Sequence, residues 1–169
     1  MKQGPRYHVK PRRHRQGRTD YRRRLRLLRG RKIRIVVRKS IKNTRVQFID
    51  YFSSGDKVVV CSLSDELVQK YHWKYSTATT SAAYLTGLLA GKRAVEKGIT
   101  EGVLDIGRSI PTKGSKMFAA LKGVIDAGVT CPHGTDMLPS DDRIMGKHLN
   151  KDIMPAVQDI KNKIMGGNE

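Results

Sequence analysis

Ile33-Arg-Ile-Val-Val-Arg-Lys-Ser-Ile-Lys-Asn-Thr-Arg-Val-Gln-Phe-Ile-Asp-Tyr-Phe-Ser-Ser-Gly-Asp-Lys-Val-Val-Val-Cys-Ser-Leu63 decides the fold of this 169-residue chain. Ile33, Ile35 and Val37 alternate with Arg34, Val36 and Arg38. That period of two puts successive side chains on opposite faces of a strand. Residues 39–43 are polar and turn the chain. Alternation then resumes, with Val46, Phe48 and Phe52 on one face and Arg45, Gln47, Ile49 and Tyr51 on the other. Ser53-Ser54-Gly55-Asp56 has the composition of a turn. Residues 58–63 are a continuous, β-branched run, which suits a strand covered on both faces, so this third strand is expected at the centre of the sheet. Three strands joined by short turns form an antiparallel meander.

Toward the C-terminus the period lengthens. Ser64-Asp65-Glu66 offers a cap and two acids where a helix dipole favours negative charge, and that helix is expected to end near Trp73. Residues 77–97 carry Ala78, Ala82, Leu85 and Leu89 at helical spacing, with Gly98 as a stop. Val103-Leu104-Asp105-Ile106, between Gly102 and Gly107, reads as a fourth strand. Residues 115–127 form a helix with Met117, Phe118, Leu121, Val124 and Ile125 inward. Residues 131–142 are a loop with Pro132, Gly134 and Pro139, and residues 143–150 a helical turn. Residues 152–165 form a last helix starting near Pro155. No internal repeat is visible. Meander, helix, strand and helix together predict an α/β fold, a mixed sheet packed by helices. The expected organisation is a basic arm with a short helix over residues 1–30, an α/β body over 31–150, and a C-terminal helix or tail over 151–169.

The N-terminal end differs from the rest. Nineteen of the 34 Lys and Arg lie in the first 50 residues, against Asp20 and Asp50, and fourteen of the nineteen are Arg. That segment carries +17 of the formal +19. Arg presents a planar fork of donors that fits phosphate oxygens and stacks on bases. A basic arm on a near-neutral body is the footprint of a nucleic-acid binder; a solvated charge run or a localisation signal is the competing reading. Up to Tyr21 the bulky apolar residues are few, and Pro5 and Pro11 break any helix, so the arm is expected to order on a polyanion. Thr19 or Asp20 would cap a short helix through Tyr21, Leu25, Leu27 and Leu28, ended by Gly30. Arg34 and Arg38 share a sheet face that Arg45 and Gln47 could join. Tyr7 and Tyr21 could stack on unpaired bases, unless Tyr21 packs on Leu25. A second basic site is Thr112-Lys113-Gly114-Ser115-Lys116 at a helix start, where free amides favour phosphate; a plain helix cap is the alternative.

Other chemistries find less support. Cys61 and Cys131 make no disulfide framework and read as inert thiols in a reducing compartment. No run approaches the ~20 apolar residues of a membrane span, and the N-terminus lacks a signal-peptide core. A cytoplasmic protein, or one held in a particle, is expected. Gly87 through Lys92 resembles a phosphate loop, but the spacing is short by one and Arg93 replaces the required hydroxyl. Cys131 and His133 lack a second ligand pair for zinc. Asp105, Asp136, Asp141 and Asp142 could be imagined as a two-metal nuclease, although a helix start before Arg143 explains Asp141-Asp142 more simply. No cofactor and no enzyme activity are expected. A free RNA chaperone using only the arm is a third reading.

The residues together resemble a known family. Thr19-Asp-Tyr-Arg-Arg-Arg-Leu-Arg-Leu-Leu28, Ile35-Val-Val-Arg-Lys-Ser40, Ala82-Ala-Tyr-Leu-Thr-Gly-Leu-Leu-Ala-Gly-Lys92, Leu104-Asp-Ile-Gly107, Thr112-Lys-Gly-Ser115, Phe118-Ala-Ala-Leu-Lys-Gly123 and Pro139-Ser-Asp-Asp-Arg143 look like the universal large-subunit ribosomal protein eighteen in its archaeal form. The likeness runs over residues 6 to 150. It implies a ribonuclease-H-like α/β body without catalysis, and binding of 5S rRNA in the central protuberance. It also implies contact with 23S rRNA and with universal large-subunit ribosomal protein five. The implied rRNA-binding residues are Arg6, Tyr7, Arg12, Arg13, Arg15, Arg18, Thr19, Tyr21, Arg22, Arg23, Arg24 and Arg26 on the arm. On the body they are Arg34, Arg38, Lys39, Lys42, Asn43, Arg45, Thr112, Lys113, Ser115 and Lys116. Ile41 stands where many relatives carry a polar residue.

Overall fold

The computed structural model describes residues 4–149 and 152–166. β1 (Arg34–Lys39) pairs antiparallel with β2 (Thr44–Phe52), and β2 pairs antiparallel with β3 (Gly55–Leu63). β4 (Val103–Asp105) lies parallel to β1 on its other side, so the order is β3-β2-β1-β4. The meander and the mixed sheet are as the alternation predicts. The place of β3 is not. It is an edge strand, and Val58 is 46% exposed. Its valines fit any pleated surface, central or not. The strand covered on both faces is β1, where Ile35, Val36 and Val37 are at most 2% exposed. Phe52, placed by alternation on the face of Val46 and Phe48, is 47% exposed at the hairpin tip opposite Gly55.

Two short helices precede the sheet, α1 (Arg12–Arg15) and α2 (Tyr21–Arg29). After β3 come α3 (Ser64–Tyr71) and α4 (Thr80–Glu96); after β4 come α5 (Lys116–Asp126), α6 (Asp141–Ile144) and α7 (Ile153–Gly166). The helical turn expected over 143–150 starts earlier, at Asp141, and its last residue lies outside the described residues. Thr79 caps α4, its hydroxyl accepting from the Ala82 amide at 3.1 Å.

α4 is apolar nearly all round, the pattern of a helix buried on every side. Toward the sheet, Ala90 and Ala94 meet Ile35, Val37, Val46, Phe48 and Val60, with Met117, Leu121 and Val124 from α5. Away from the sheet, Leu85 and Leu89 meet Leu67 and Trp73 and the Ile153, Val157, Ile160, Ile164 stripe of α7. Each such large side chain contributes roughly 1.5–3 kcal/mol on burial. α4 and α5 touch backbone to backbone. A Cβ on Gly87 would stand 2.0 Å from the Ala120 carbonyl oxygen, and one on Gly123 would stand 2.2 Å from that of Tyr84. The glycines that resemble a phosphate loop therefore serve a helix crossing. The Tyr84 hydroxyl donates to Asp126 at 2.7 Å across the same crossing.

Parts of both sheet edges are covered. On β3, Ile49 faces Val58 and Phe48 faces Val60, so Val59 forms a bulge. Lys97 Nζ donates to the Val59 carbonyl at 2.6 Å and Arg93 to that of Cys61 at 3.0 Å. The Leu63 amide donates to Glu66 Oε1 at 2.9 Å. Just before β4, the Gly102 amide donates to the Thr130 carbonyl at 3.0 Å, and the Thr130 amide to that of Thr100 at 2.8 Å.

Candidate nucleic-acid interface

The helical layer covers one face of the sheet and leaves the face of Arg34, Arg38, Arg45 and Gln47 to the arm. α2 is set by its first turn. The Asp20 carboxylate accepts from the amides of Arg22 and Arg23 at 3.0 and 3.2 Å, and these amide bonds hold its pKa below the usual value. Pro11 does not break the arm's helix as its composition suggests. It stands just before α1, where a fixed φ suits a helix start. Arg13 Nε donates to Thr19 Oγ1 at 3.0 Å, folding α1 back toward α2. Tyr21 is 40% exposed and stands edge-on to His14, ring centroids 6.3 Å apart.

Helical spacing divides the arginines of α2. Arg23, Arg24, Leu27 and Leu28 are half-buried and face the body. Arg22, Arg26 and Arg29, at i, i+4 and i+7, are exposed on the opposite side. Arg23 Nη1 donates to the Gly107 carbonyl at 3.0 Å, and Arg24 Nη2 to Asp56 Oδ1 at 2.8 Å. Arg34, expected to face RNA, lies on the anticipated sheet face but is only 3% exposed. Its Nη2 meets Asp56 Oδ2 at 2.8 Å and its Nη1 meets Asp105 Oδ2 at 3.2 Å. A buried guanidinium must be paired, and losing one partner of such a pair typically costs about 3–5 kcal/mol. Arg34 is thus an internal tie, its guanidinium engaged by Asp56 and Asp105.

Partial burial pushes the Asp56 carboxyl up, but hydrogen bonds and charge from Arg24 and Arg34 outweigh it and hold the group below the usual carboxylate range. A lowered folded pKa stabilises the docked α2 at neutral pH. That contribution is lost as pH falls from the unfolded carboxylate value, about 4, through the lower folded one. An NMR acid titration of the full chain should show Arg24 and Leu27 amides shifting below about pH 4, before the α4 core responds.

Between arm and sheet is a cleft lined by Arg13, Arg18, Arg23, Arg24, Arg34, Arg38 and Arg108, with Asp20 and Asp105 as its acids. Arg108 donates to the Gly17 carbonyl from the far wall. Arg38 and Arg45 are exposed and directly opposite on β1 and β2. Like charges facing across a ladder are destabilising, and an anion between them removes the penalty. Arg6, Tyr7, Arg12, Arg15, Arg18 and Lys42 are exposed. Asn43 is differently employed. Its Nδ2 donates to Asp65 at 3.2 Å, and its Oδ1 accepts from Ser64 Oγ at 3.2 Å and Thr77 Oγ1 at 3.0 Å. It ties a turn to α3 and has little left for a base. Ser64, expected to cap α3, instead accepts the Thr44 amide at 3.1 Å.

A second cationic depression is separate from the arm. Lys113, Lys116 and Thr112 meet Lys39, Ile41 and Arg143 there. Gly114 has φ +65°, and the buried Ser115 Oγ has no partner among the described residues. Arg29, Arg108 and Arg143 belong to these surfaces although the charge run alone does not single them out. Arg29 is legible as i+7 from Arg22; Arg108 and Arg143 are isolated in sequence and carry no such signal.

The acids weighed as a nuclease are dispersed. Asp105 serves Arg34, Asp141 pairs with Lys122, Asp142 with Lys147, and Asp136 is 3.8 Å from Lys113. No three His, Cys, Asp or Glu side chains among the described residues group as a metal site. Cys131 is buried, which pushes its thiol pKa up, and His133 Nδ1 lies 2.7 Å from the Cys131 carbonyl oxygen. No helix among the described residues is long and apolar enough to cross a membrane.

A sheet face beside an arginine-lined arm has the charge and shape that suit a polyanion. Comparison with known proteins narrows the class. The family described as ribosomal large subunit proteins 60S L5 and 50S L18 matches residues 5–102. Large ribosomal subunit protein uL18 of Korarchaeum cryptofilum is 51% identical over 149 residues, 88% of this chain and 76% of the relative. The protein of the same name from Aeropyrum pernix is 50% identical over 88% of this chain and 70% of its own. That from Methanococcoides burtonii is 46% identical over 98% of both. The chain belongs to this family of structural proteins of the large ribosomal subunit, as the resemblance of its motifs implies.

Proposed function

We propose that this protein binds 5S rRNA and helps attach it to 23S rRNA in the central protuberance, beside universal large-subunit ribosomal protein five. The observation that carries the reading is that exposed arginines stand both on the outward side of α2, at Arg22, Arg26 and Arg29, and on the sheet, at the facing pair Arg38 and Arg45. These cations come from an arm and a rigid sheet, so they can neutralise phosphates over a shaped surface rather than along a flexible tail. Phosphate neutralisation supplies affinity, and the shape of folded RNA supplies choice. The depression around Lys113, Lys116 and Arg143 is a second phosphate contact on the same RNA or on its neighbour.

A competition assay tests the reading. Labelled 5S rRNA bound to the full chain should resist displacement by tRNA far better than by unlabelled 5S rRNA, at each point of a salt titration. Equal displacement by the two RNAs would leave only a general polyanion binder, the chaperone-like alternative.

A further inference from the structure

Resting on the RNA-binding reading above, we propose that Asp56 and Asp105 are positioning residues: they clamp α2 to the sheet and so aim the Arg22, Arg26 and Arg29 stripe before RNA arrives. α2 has no fully buried residue, its Leu25 is 54% exposed and its Leu27 and Leu28 are only half-buried, so apolar burial alone holds it weakly. The hold is polar and closed on itself. Arg24 reaches Asp56, Asp56 reaches Arg34, and Arg34 reaches Asp105. Asp105 Oδ1 accepts the Gly107 amide at 2.8 Å, and the Gly107 carbonyl accepts from Arg23 at 3.0 Å. The circuit starts and ends on consecutive residues of one helix, so it fixes both the position of α2 and its rotation.

The two acids come from opposite sides of β1, Asp56 from the β2–β3 hairpin and Asp105 from β4. Carboxylates beneath a phosphate-binding surface repel the ligand, so their presence there is explained by what they hold. Holding α2 in the free protein lowers the ordering cost that binding would otherwise carry.

Asp56→Asn in the full chain separates the two effects by sign. It raises the formal charge of +19 by one unit, so simple electrostatics predicts equal or tighter binding of 5S rRNA. The clamp predicts binding weaker by about tenfold, with most of the loss recovered in Asp56→Glu. It also predicts that amide hydrogen exchange over residues 21–29 in RNA-free protein speeds up by more than exchange over α4, whose core amides report only the overall loss of stability. Arg24→Gln, which leaves the Arg34–Asp56 pair intact, should loosen the same amides and serves if Asp56→Asn does not fold. Equal or tighter binding by Asp56→Asn, or unchanged α2 exchange in Arg24→Gln, overturns the proposal. Failure of the wild-type chain to prefer 5S rRNA would sink the functional reading instead, while the exchange measurement still decides the clamp.

Discussion

Gly87→Val is expected to remove a large part of the protein's stability. The first added carbon would stand 2.0 Å from the Ala120 carbonyl oxygen and 2.7 Å from its carbon, both backbone atoms of α5. A flexible side chain can step aside, but a helix backbone packed on both sides cannot. Overpacking of ordinary cores costs about 1–3 kcal/mol. Here the whole helix pair must separate, so the cost lies at or above that upper end. A domain has only about 5–15 kcal/mol in total. Gly134→Ala is the control, since its nearest neighbour is the Met137 side chain at 3.7 Å and its φ is −80°. That change should fall within about 0.5 kcal/mol. Thermal unfolding followed by circular dichroism compares them; a Gly87→Val melt close to wild type would refute the close crossing.

The second large effect concerns binding. Replacing Arg22, Arg26 and Arg29 together by Gln should lower affinity for 5S rRNA by about a hundredfold near physiological salt. The slope of log affinity against log salt should become shallower by about two to three units. The melting temperature should stay near wild type, because none of the three residues is buried. Filter binding across a salt series reads both numbers. An unchanged slope would mean that the stripe does not meet phosphates. Arg34 makes the contrast: its substitution should lower stability as well as affinity, since its role is beneath the surface.

Much of this was legible in the chain. Alternation around Ile35, Val37, Val46 and Phe48 reveals the strands and their inward face because the pleat has a period of two. The charge imbalance reveals the polyanion partner because no ordinary solvated surface is so one-sided. What stays hidden depends on separations that local pattern does not encode. Residues 58–63 read as central because β-branched runs look alike at the centre and at the edge. Arg34 reads as a phosphate ligand because alternation reports a residue's face but not what covers that face. Its partners, Asp56 and Asp105, lie 22 and 71 residues further along the chain. The division of α2 into inward and outward arginines is latent in the helical spacing. It becomes definite only when Asp56 and Gly107 show which side faces the body.

The partly covered sheet edges limit how this protein meets others. An open edge strand invites a neighbour's strand to continue the ladder, whether in peptide recognition or in aggregation. Here the Val59 bulge, Lys97, Arg93 and Glu66 close one end, and the segment around Thr130 closes the other. A newly made copy therefore offers, among the described residues, only shortened stretches of edge through which to associate with another copy. Partners are directed to side chains rather than to backbone, which concentrates selectivity on the arginine-bearing face and makes assembly sensitive to ionic conditions.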